Sequence, residues 1–570
     1  MNVMSCVRVQ PTEVVLASGR QYQFTYDEVG RLRSVTTPSQ SRHHFHSIRL
    51  FGLRRLIYRP PASAGVFIED RDSAGHVLAR RYPSRRRQTE YSWDRRGRLV
   101  GVYHDWFDVS FSYDGDRVSE ATVVSLAGDP YSYMVTYERS TAGALLTAQR
   151  ISFSARSRDL VDADFRYSYD TYLRPVSVEP TVGGRVLATL MYSYDEATGR
   201  LSRSSPFVFD RPHPHRRLTR DVNVEIVREL DARGRMTDVW YRFNNHVVFT
   251  LEIKYNAVGQ VHQWRRKVRS SDLKAYERVY DVDGLLMEVL VNGQTTWRYQ
   301  TDDDSRLVTI AQYGKARSIV LDLRGAVESA GDLAYLFDAD GFLTQRGDGE
   351  MFEWDSLGRL TRAHQAGRYD VRYLYDAHGR LVARVQSETV TQFFYGDPRY
   401  KDRVTHVYNS SGAGGGAGSG GRGVVVQYFY DDDGRLFAMQ RHGDEVFYIG
   451  LDPFGTPLVV LNGVGSVVRQ FNHDPLGVCL SDTDSAAAVP LVFGYRGGLV
   501  DWATRLVMFD AGRLVYDPYI GRWLTPDYQR VVDNVERLAV QPLLSNLYDN
   551  DRLSWTLIND SPMTGRLLTL

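Results

Sequence analysis

Apolar and polar residues alternate in short runs along most of the chain, and the runs end at one recurring turn. Phe165-Arg166-Tyr167-Ser168-Tyr169 and Val371-Arg372-Tyr373-Leu374-Tyr375 show the alternation, the period-two signature of strands with one buried face. The turn is clearest at Tyr26-Asp27-Glu28-Val29-Gly30-Arg31-Leu32, Tyr375-Asp376-Ala377-His378-Gly379-Arg380-Leu381 and Tyr430-Asp431-Asp432-Asp433-Gly434-Arg435-Leu436. Weaker copies include Trp93-Asp94 with Gly97, Tyr194-Asp195 with Gly199, Tyr280-Asp281 with Gly284, and Trp354-Asp355 with Gly358. Gly234, Gly259 and Gly284 lie 25 residues apart, and Gly358 and Gly379 lie 21 apart. A unit recurring at such a period predicts a repeat architecture.

Each turn position has a physical role. The aromatic ring ends one strand and is expected to pack on the neighbouring hairpin with its polar tip wet. The aspartate accepts a backbone N–H two residues on, an Asx turn. The glycine supplies the positive φ of a tight hairpin. Arg-Leu then starts the return strand, leucine inward and arginine along the surface. Each unit is thus two strands of roughly six to nine residues. The predicted fold class is all-β, a spiral of hairpins closing into a large hollow barrel-like shell, with full closure removing exposed strand edges.

Two segments depart from the pattern. Residues 410–423 are nearly all Gly, Ser and Ala and read as a flexible, protease-sensitive hairpin tip, because the repeat resumes at Tyr430. Asn409-Ser410-Ser411 at its edge is an N-glycosylation sequon, which makes Asn409 a candidate acceptor. The segment 529–540, with Val531, Val532, Val535, Leu538 and Val540, is the best helix candidate, although its apolar spacing fits only loosely.

Charge is nearly balanced, 70 Lys+Arg against 69 Asp+Glu, which argues against general nucleic-acid binding. The runs Arg85-Arg86-Arg87 and Arg265-Arg266-Lys267 read as solvated hairpin tips rather than as sites for heparan sulfate or anionic lipid. Two cysteines, Cys6 and Cys479, are too few for a disulfide framework or a zinc site, and leave one disulfide or two free thiols open. No stretch approaches about 18 consecutive apolar residues, so no membrane-spanning segment is expected. The N-terminus lacks the charged and apolar regions of a signal peptide, as expected of a cytosolic chain or a fragment of something longer.

Candidate chemistry is sparse. His43, His44 and His46, the pair His213 and His215, and His473 have no cysteine or carboxylate cluster at ligand spacing, so no metal site is predicted. No P-loop, nucleophile elbow, HExxH or dinucleotide fingerprint is present, and the Gly-rich tract runs into a strand rather than a helix. No catalytic residue and no cofactor are expected.

Near the C-terminus the register changes. Phe493-Gly494-Tyr495-Arg496-Gly497-Gly498-Leu499 leads to Tyr516-Asp517-Pro518-Tyr519-Ile520-Gly521-Arg522-Trp523-Leu524-Thr525-Pro526-Asp527. This resembles the segment that closes the core of Rhs/YD-repeat proteins, with Trp523 where phenylalanine is usual. Within that class the chain is similar to teneurins, on stretches such as Arg42-His43-His44-Phe45-His46, Ile57-Tyr58-Arg59-Pro60-Pro61, Gln294-Thr295-Thr296-Trp297-Arg298-Tyr299 and Arg403-Val404-Thr405-His406-Val407-Tyr408-Asn409. The resemblance covers roughly residues 15 to 530. It implies a YD-repeat shell over 1–489, a closing segment or plug over 490–528, and a linker remnant without a toxin-like domain over 529–570. It also implies a non-catalytic adhesion module at the cell surface, part of a longer single-pass membrane protein, whose partner is a latrophilin-type receptor or another teneurin copy. The alternative is an Rhs-type shell around a C-terminal toxin or peptide. Self-cleavage of the Rhs kind loses its motif here, because Asp560-Ser561-Pro562-Met563-Thr564-Gly565 breaks the Asp-Pro-x-Gly spacing. Asp517 and Asp527 sit in turn positions that explain them structurally.

Overall fold

A computed structural model of the chain describes residues 10–548, except 126–130, 142–144, 156–159, 195, 197–200, 205–206, 210–214, 220–223, 270, 272, 388, 411–422, 432, 442–445, 485–490, 540, 542 and 544–545. Residues 411–422 of the Gly-rich tract, Cys6, His213, the turns at Asp195 and Gly199, and the Asp560–Gly565 segment all lie outside the described residues. As the alternation predicts, the fold is all-β. From Glu13–Val15 to Cys479–Asp484, 44 strands pair antiparallel in one continuous ladder, each with a sequence neighbour except that Leu190–Tyr194 skips the short Arg185–Val186 to pair with Pro175–Val182. Four shorter strands between Leu499 and Trp523 make a separate sheet.

The turn geometry follows from its residues. Asp27 Oδ1 accepts the backbone N–H of Val29 (3.1 Å) and of Arg31 (2.8 Å), and Asp376 does the same for His378 and Arg380. Asp281 holds Asp283 and Leu285 alike, and Asp431 accepts Arg435 N–H at 2.7 Å. Gly30, Gly284, Gly379 and Gly434 have φ of +78° to +84°, where a Cβ would be strained. Most of these turns also carry a bulge at the aromatic residue, as between Thr25 and Tyr26 and between Phe429 and Tyr430.

Two expectations about the turn are corrected. The tyrosine tip is not left wet. Tyr375 donates its hydroxyl to the Leu360 carbonyl (2.8 Å), Tyr280 to Val261 (2.7 Å), Tyr430 to Val404 (2.6 Å) and Tyr26 to Pro11 (2.8 Å). A buried hydroxyl needs such an acceptor. Nor does the arginine simply lie along the surface. Arg380 is buried, bonded to its own Asp376 and set 4.5 Å from the ring centroid of Tyr395. Arg235 sits 4.2 Å from Tyr255, and Arg359 4.8 Å from Tyr375. These three rings are each capped by the arginine of the preceding repeat.

The ladder does not close on itself. Among the described residues no strand pairing joins its first strand to its last, so the expected closure through backbone pairing is not made. The chain is a spiral whose ends fall on different turns, and those turns meet through side chains. Asp283 takes Ser18 N–H and Arg20, Asp304 takes Ser39, and Asp340 takes Ser84 and Arg87. Further along, Thr89 meets Ser356, Gln392 meets Val161, Arg228 pairs with the buried Asp431, and Tyr241 donates to the Ile449 carbonyl. The sequence separation of these contacts shrinks from 265 at Ser39–Asp304 to 196 at Arg269–Gly465, so the second turn covers the same ground with fewer residues.

Three histidines, His43, His104 and His406, are buried in the sheet. Burial lowers His43 and His104 to about 4 and His406 to about 3, from 6.5. Asp474 shifts the opposite way, its carboxyl raised by burial from 3.8 to about 6.

Two predictions follow from this seam and these groups. Asp340→Ala leaves Arg87 and the Ser84 N–H short of a buried acceptor, and is expected to cost about 2–3 kcal/mol by urea denaturation, while Asp27→Ala in an exposed turn shifts the midpoint far less. As pH falls below 6.5 the unfolded chain protonates these three histidines before the folded one does, so stability is lost between about pH 6.5 and 4. The loss approaches about 1–2 kcal/mol per histidine near pH 5. His378 and His473, which burial also lowers to about 4, add to the loss, while Asp474, between about pH 3.8 and 6, and the likewise raised Asp452 oppose it. A denaturation midpoint that rises on acidification to about pH 5 would contradict the assignment.

Candidate functional site

The segment after the ladder brings distant parts of the chain together. Leu499–Asp501, Leu506–Phe509, Leu514–Asp517 and Arg522–Trp523 pair as a small antiparallel meander. Its aspartates act at two levels. Asp501 Oδ1 accepts Ala503 N–H (2.9 Å) and Asp517 Oδ1 accepts Tyr519 N–H (2.9 Å), which shapes each turn. The same two carboxylates grip the shell. Asp517 Oδ2 receives Arg346 (2.8 Å) and the Tyr335 hydroxyl (3.1 Å). Asp501 receives Arg384 (2.8 and 3.0 Å) and the Tyr373 hydroxyl (2.5 Å).

These two grips are the same device used twice. Tyr335 lies directly opposite Arg346 across one strand pair, and Tyr373 opposite Arg384 across another. Each aspartate docks on one cross-strand tyrosine–arginine pair. Burial works to raise the Asp501 carboxyl, but Arg384 and Tyr373 hold it below its ordinary value. Burial works to lower Arg346, and Asp517 and Glu350 raise it instead. Tyr335 is raised by burial and by Asp517. A carboxylate matched in this way is an anchor, not a free base.

The rest of the closing motif is packed. Arg522, 1% exposed, donates to the Gly325 carbonyl (3.1 Å) and the Leu307 carbonyl (3.2 Å). Tyr516 donates to the Leu476 carbonyl and makes edge contacts with Trp523 and Phe509. Gly521 has φ +69°, and Pro518 and Pro526 are buried. Asp527 caps the helix Tyr528–Asp533 by accepting Arg530 N–H. The helix expected over 529–540 is thus a six-residue α-helix followed by a 3-10 turn at Val535–Arg537. Its loose apolar spacing supports only one buried turn, Tyr528, Val531 and Val532.

That short helix seals the beginning of the spiral. Tyr528, Val531, Val532, Leu538, Leu547 and Tyr548 form one apolar cluster with Tyr22, Phe24, Val35, Phe45, Tyr58 and Phe67 of the first strands. The Tyr528 ring lies 5.4 Å from Phe67, 5.8 Å from Tyr82 and 6.0 Å from Tyr58. The Tyr528 and Tyr548 hydroxyls reach the carbonyls of Asp340 and Gly341 on the second turn. Both spiral turns and the closing segment meet here.

Other residues singled out in the sequence are not brought to this junction. His44 and His46 are exposed, whereas His43 is buried against the Tyr58 hydroxyl (2.7 Å). Arg87 of the first basic run is tied to Asp338 and Asp340, and Arg266 of the second is buried. Asn409 ends the strand His406–Asn409, half-buried opposite Thr391 and Val424, while Ser411 of its sequon lies outside the described residues. Cys479 is half-buried, and burial raises its thiol. Sequence reasoning missed the four shell residues Tyr335, Arg346, Tyr373 and Arg384. Their signal is an arginine in the inward phase of a strand, which has meaning only once the register places a tyrosine opposite.

A spiral of tyrosine–aspartate hairpins, gripped by its own C-terminal segment, defines a repeat-built β-shell. The teneurin YD-shell family matches residues 5–553, and the chain belongs to that family. It is 32% identical to human teneurin-4 over 521 residues, 90% of this chain and 18% of the relative. It is 33% identical to mouse teneurin-3 over 94% of this chain and 19% of the relative. With Drosophila melanogaster teneurin-m the identity is 26% over 95% of this chain and 19% of the relative. The chain therefore spans roughly a fifth of the length of these relatives. In fold it is similar to the crystal structure of TcdB2-TccC3, with a TM-score of 0.60 at 13% identity, over 95% of this chain and 34% of that one. It is also similar to a Photorhabdus luminescens Tc holotoxin pore (TM-score 0.55, 12% identity, 95% and 33% covered).

Tyr528→Ala empties the centre of the aromatic cluster at the seal, and is expected to cost about 3–5 kcal/mol. Hydrogen exchange should then speed up in the strands Gln21–Tyr26 and Arg42–Leu50, with Tyr369–Tyr375 unchanged. A uniform rise across all strands would deny the seal its local role.

Proposed function

We propose that the chain is the shell portion of a non-catalytic, extracellular cell-adhesion and receptor-binding protein of teneurin type. The observation that carries this is identity of about a third to teneurins, sustained over 90–94% of the chain, where the toxin shells share only the fold. The shell acts as part of a longer single-pass membrane protein in neuronal recognition and signalling. Its partner is a latrophilin-type adhesion receptor or another teneurin copy, with Asn409 as a glycan site. The two grip aspartates support a structural role for the closing segment, since each carboxylate is matched by an arginine and a tyrosine. No helix among the described residues is long and apolar enough to cross a membrane.

A second reading, a shell enclosing a C-terminal toxin or peptide, draws on the likeness to TcdB2-TccC3. Binding of the purified chain separates the two. Cells displaying a latrophilin-type receptor, cells lacking it, and an immobilised copy of the chain serve as the three surfaces. Saturable binding that depends on the receptor, or self-binding, is the expected result. A folded, monodisperse sample that binds none of them would overturn adhesion by this portion and favour the container.

A further inference from the structure

The hairpin of Arg42–Leu50 and Leu53–Arg59 combines three costly features. Its two turn residues, Phe51 and Gly52, both have positive φ, +43° and +83°. That is the primed turn geometry which favours Asn-Gly, and a bulky ring in the first position is strained. Phe51 gains no packing in return: it is 109% exposed, and the neighbouring Leu50 is 44% exposed. Just behind the tip Arg49 stands directly opposite Arg54, a like-charge pair that costs stability.

The charge around it is equally one-sided. Residues 42–59 hold five arginines and no aspartate or glutamate, in a chain of formal net charge +1. Arginines of the repeat turns, such as Arg31, Arg98, Arg174 and Arg235, each pair with their own aspartate. In the hairpin only Arg55 is paired, with Asp70. Among the described residues Arg42, Arg49, Arg54 and Arg59 make no ion pair, and Arg54 reaches only the Ser47 hydroxyl at 3.4 Å. The nearest acids are already engaged, Asp70 by Arg55 and Arg81, and Glu69 by Arg71 and Arg80. On one side the preceding strand pairs only with Arg42 to His44, so the outer half of the hairpin stands beyond that neighbour.

We propose that this hairpin docks on a membrane surface, with Phe51 and Leu50 entering the acyl boundary and the arginines meeting anionic lipid phosphates behind them. The order of chemistry along the hairpin, apolar outermost and cationic next, is the depth order of a bilayer surface. A sulfated polysaccharide would engage the arginines but leave the strained ring in water. A protein groove would favour a broad apolar patch around the ring, whereas here both flanks are cationic. The proposal stands independently of receptor binding.

Flotation of the purified chain with phosphatidylcholine vesicles, with and without phosphatidylserine, tests it. The chain is expected to float with the phosphatidylserine vesicles and to be released by salt. Phe51→Asn installs a residue the turn prefers, so it should keep or raise thermal stability while association falls about tenfold or more. The double variant Arg49→Ser/Arg54→Ser should lose the preference for phosphatidylserine. The proposal is overturned if the wild-type chain floats with neither vesicle, if Phe51→Asn floats like wild type, or if that variant is less stable. Retention on immobilised heparin without vesicle binding, equal for wild type and Phe51→Asn, would reassign the arginines to a sulfated polysaccharide.

Discussion

One contact recurs along the ladder and holds its repeats in order: the aromatic ring of a turn docked on the repeat before it. The hydroxyl of Tyr375 reaches the Leu360 carbonyl, and Tyr395 reaches Leu381. Trp354 uses its indole N–H for the Leu343 carbonyl in the same manner. In several repeats the arginine that follows the glycine covers the ring that arrives next, as Arg359 covers Tyr375 and Arg380 covers Tyr395. One residue type thereby ends a strand, fills the core and meets its own polar demand. The next repeat is placed without any long-range contact.

Charge is used in pairs for the same reason. The turn aspartate satisfies backbone N–H groups with one oxygen and its own arginine with the other, as Asp376 does for Arg380. Buried pairs of this kind are poor sources of net stability but costly to break, which makes them better suited to fixing geometry than to raising stability. The spiral seam extends the idea. In several turns the residue just before the glycine, Asp283 or Asp340, crosses to the neighbouring turn. The closing segment extends it again, with Asp501 and Asp517 each set on a tyrosine–arginine pair.

A molecule assembled from matched pairs keeps little reactive chemistry in reserve, and the surface is where function has room. Several arginines of the repeat turns, such as Arg31, Arg98 and Arg235, are neutralised by the aspartate of their own turn. The hairpin carrying Phe51 holds both a strained, fully exposed ring and a cluster of arginines that make no ion pair among the described residues. Structural costs without a structural return are the kind of feature that function accounts for.

The hairpin unit, its turn chemistry and the all-β class are written in the residue order, because each depends on residues a few positions apart. Alternation and the Tyr-Asp-x-x-Gly spacing act within one repeat, so Asp27, Gly30, Asp281, Gly284, Asp376 and Gly434 were legible as turn residues. The closing motif was legible as a motif for the same reason. Its grip was not: Asp517 meets Tyr335 and Arg346 across 182 and 171 residues. Tertiary packing alone sets the rest: among the described residues the spiral ladder makes no closing strand pair, Asp283, Asp304 and Asp340 bridge its turns, and Tyr528 and Tyr548 seal the first strands. Those contacts depend on how much each repeat advances and twists, a small geometric increment summed over dozens of strands. No local pattern of residues encodes the sum.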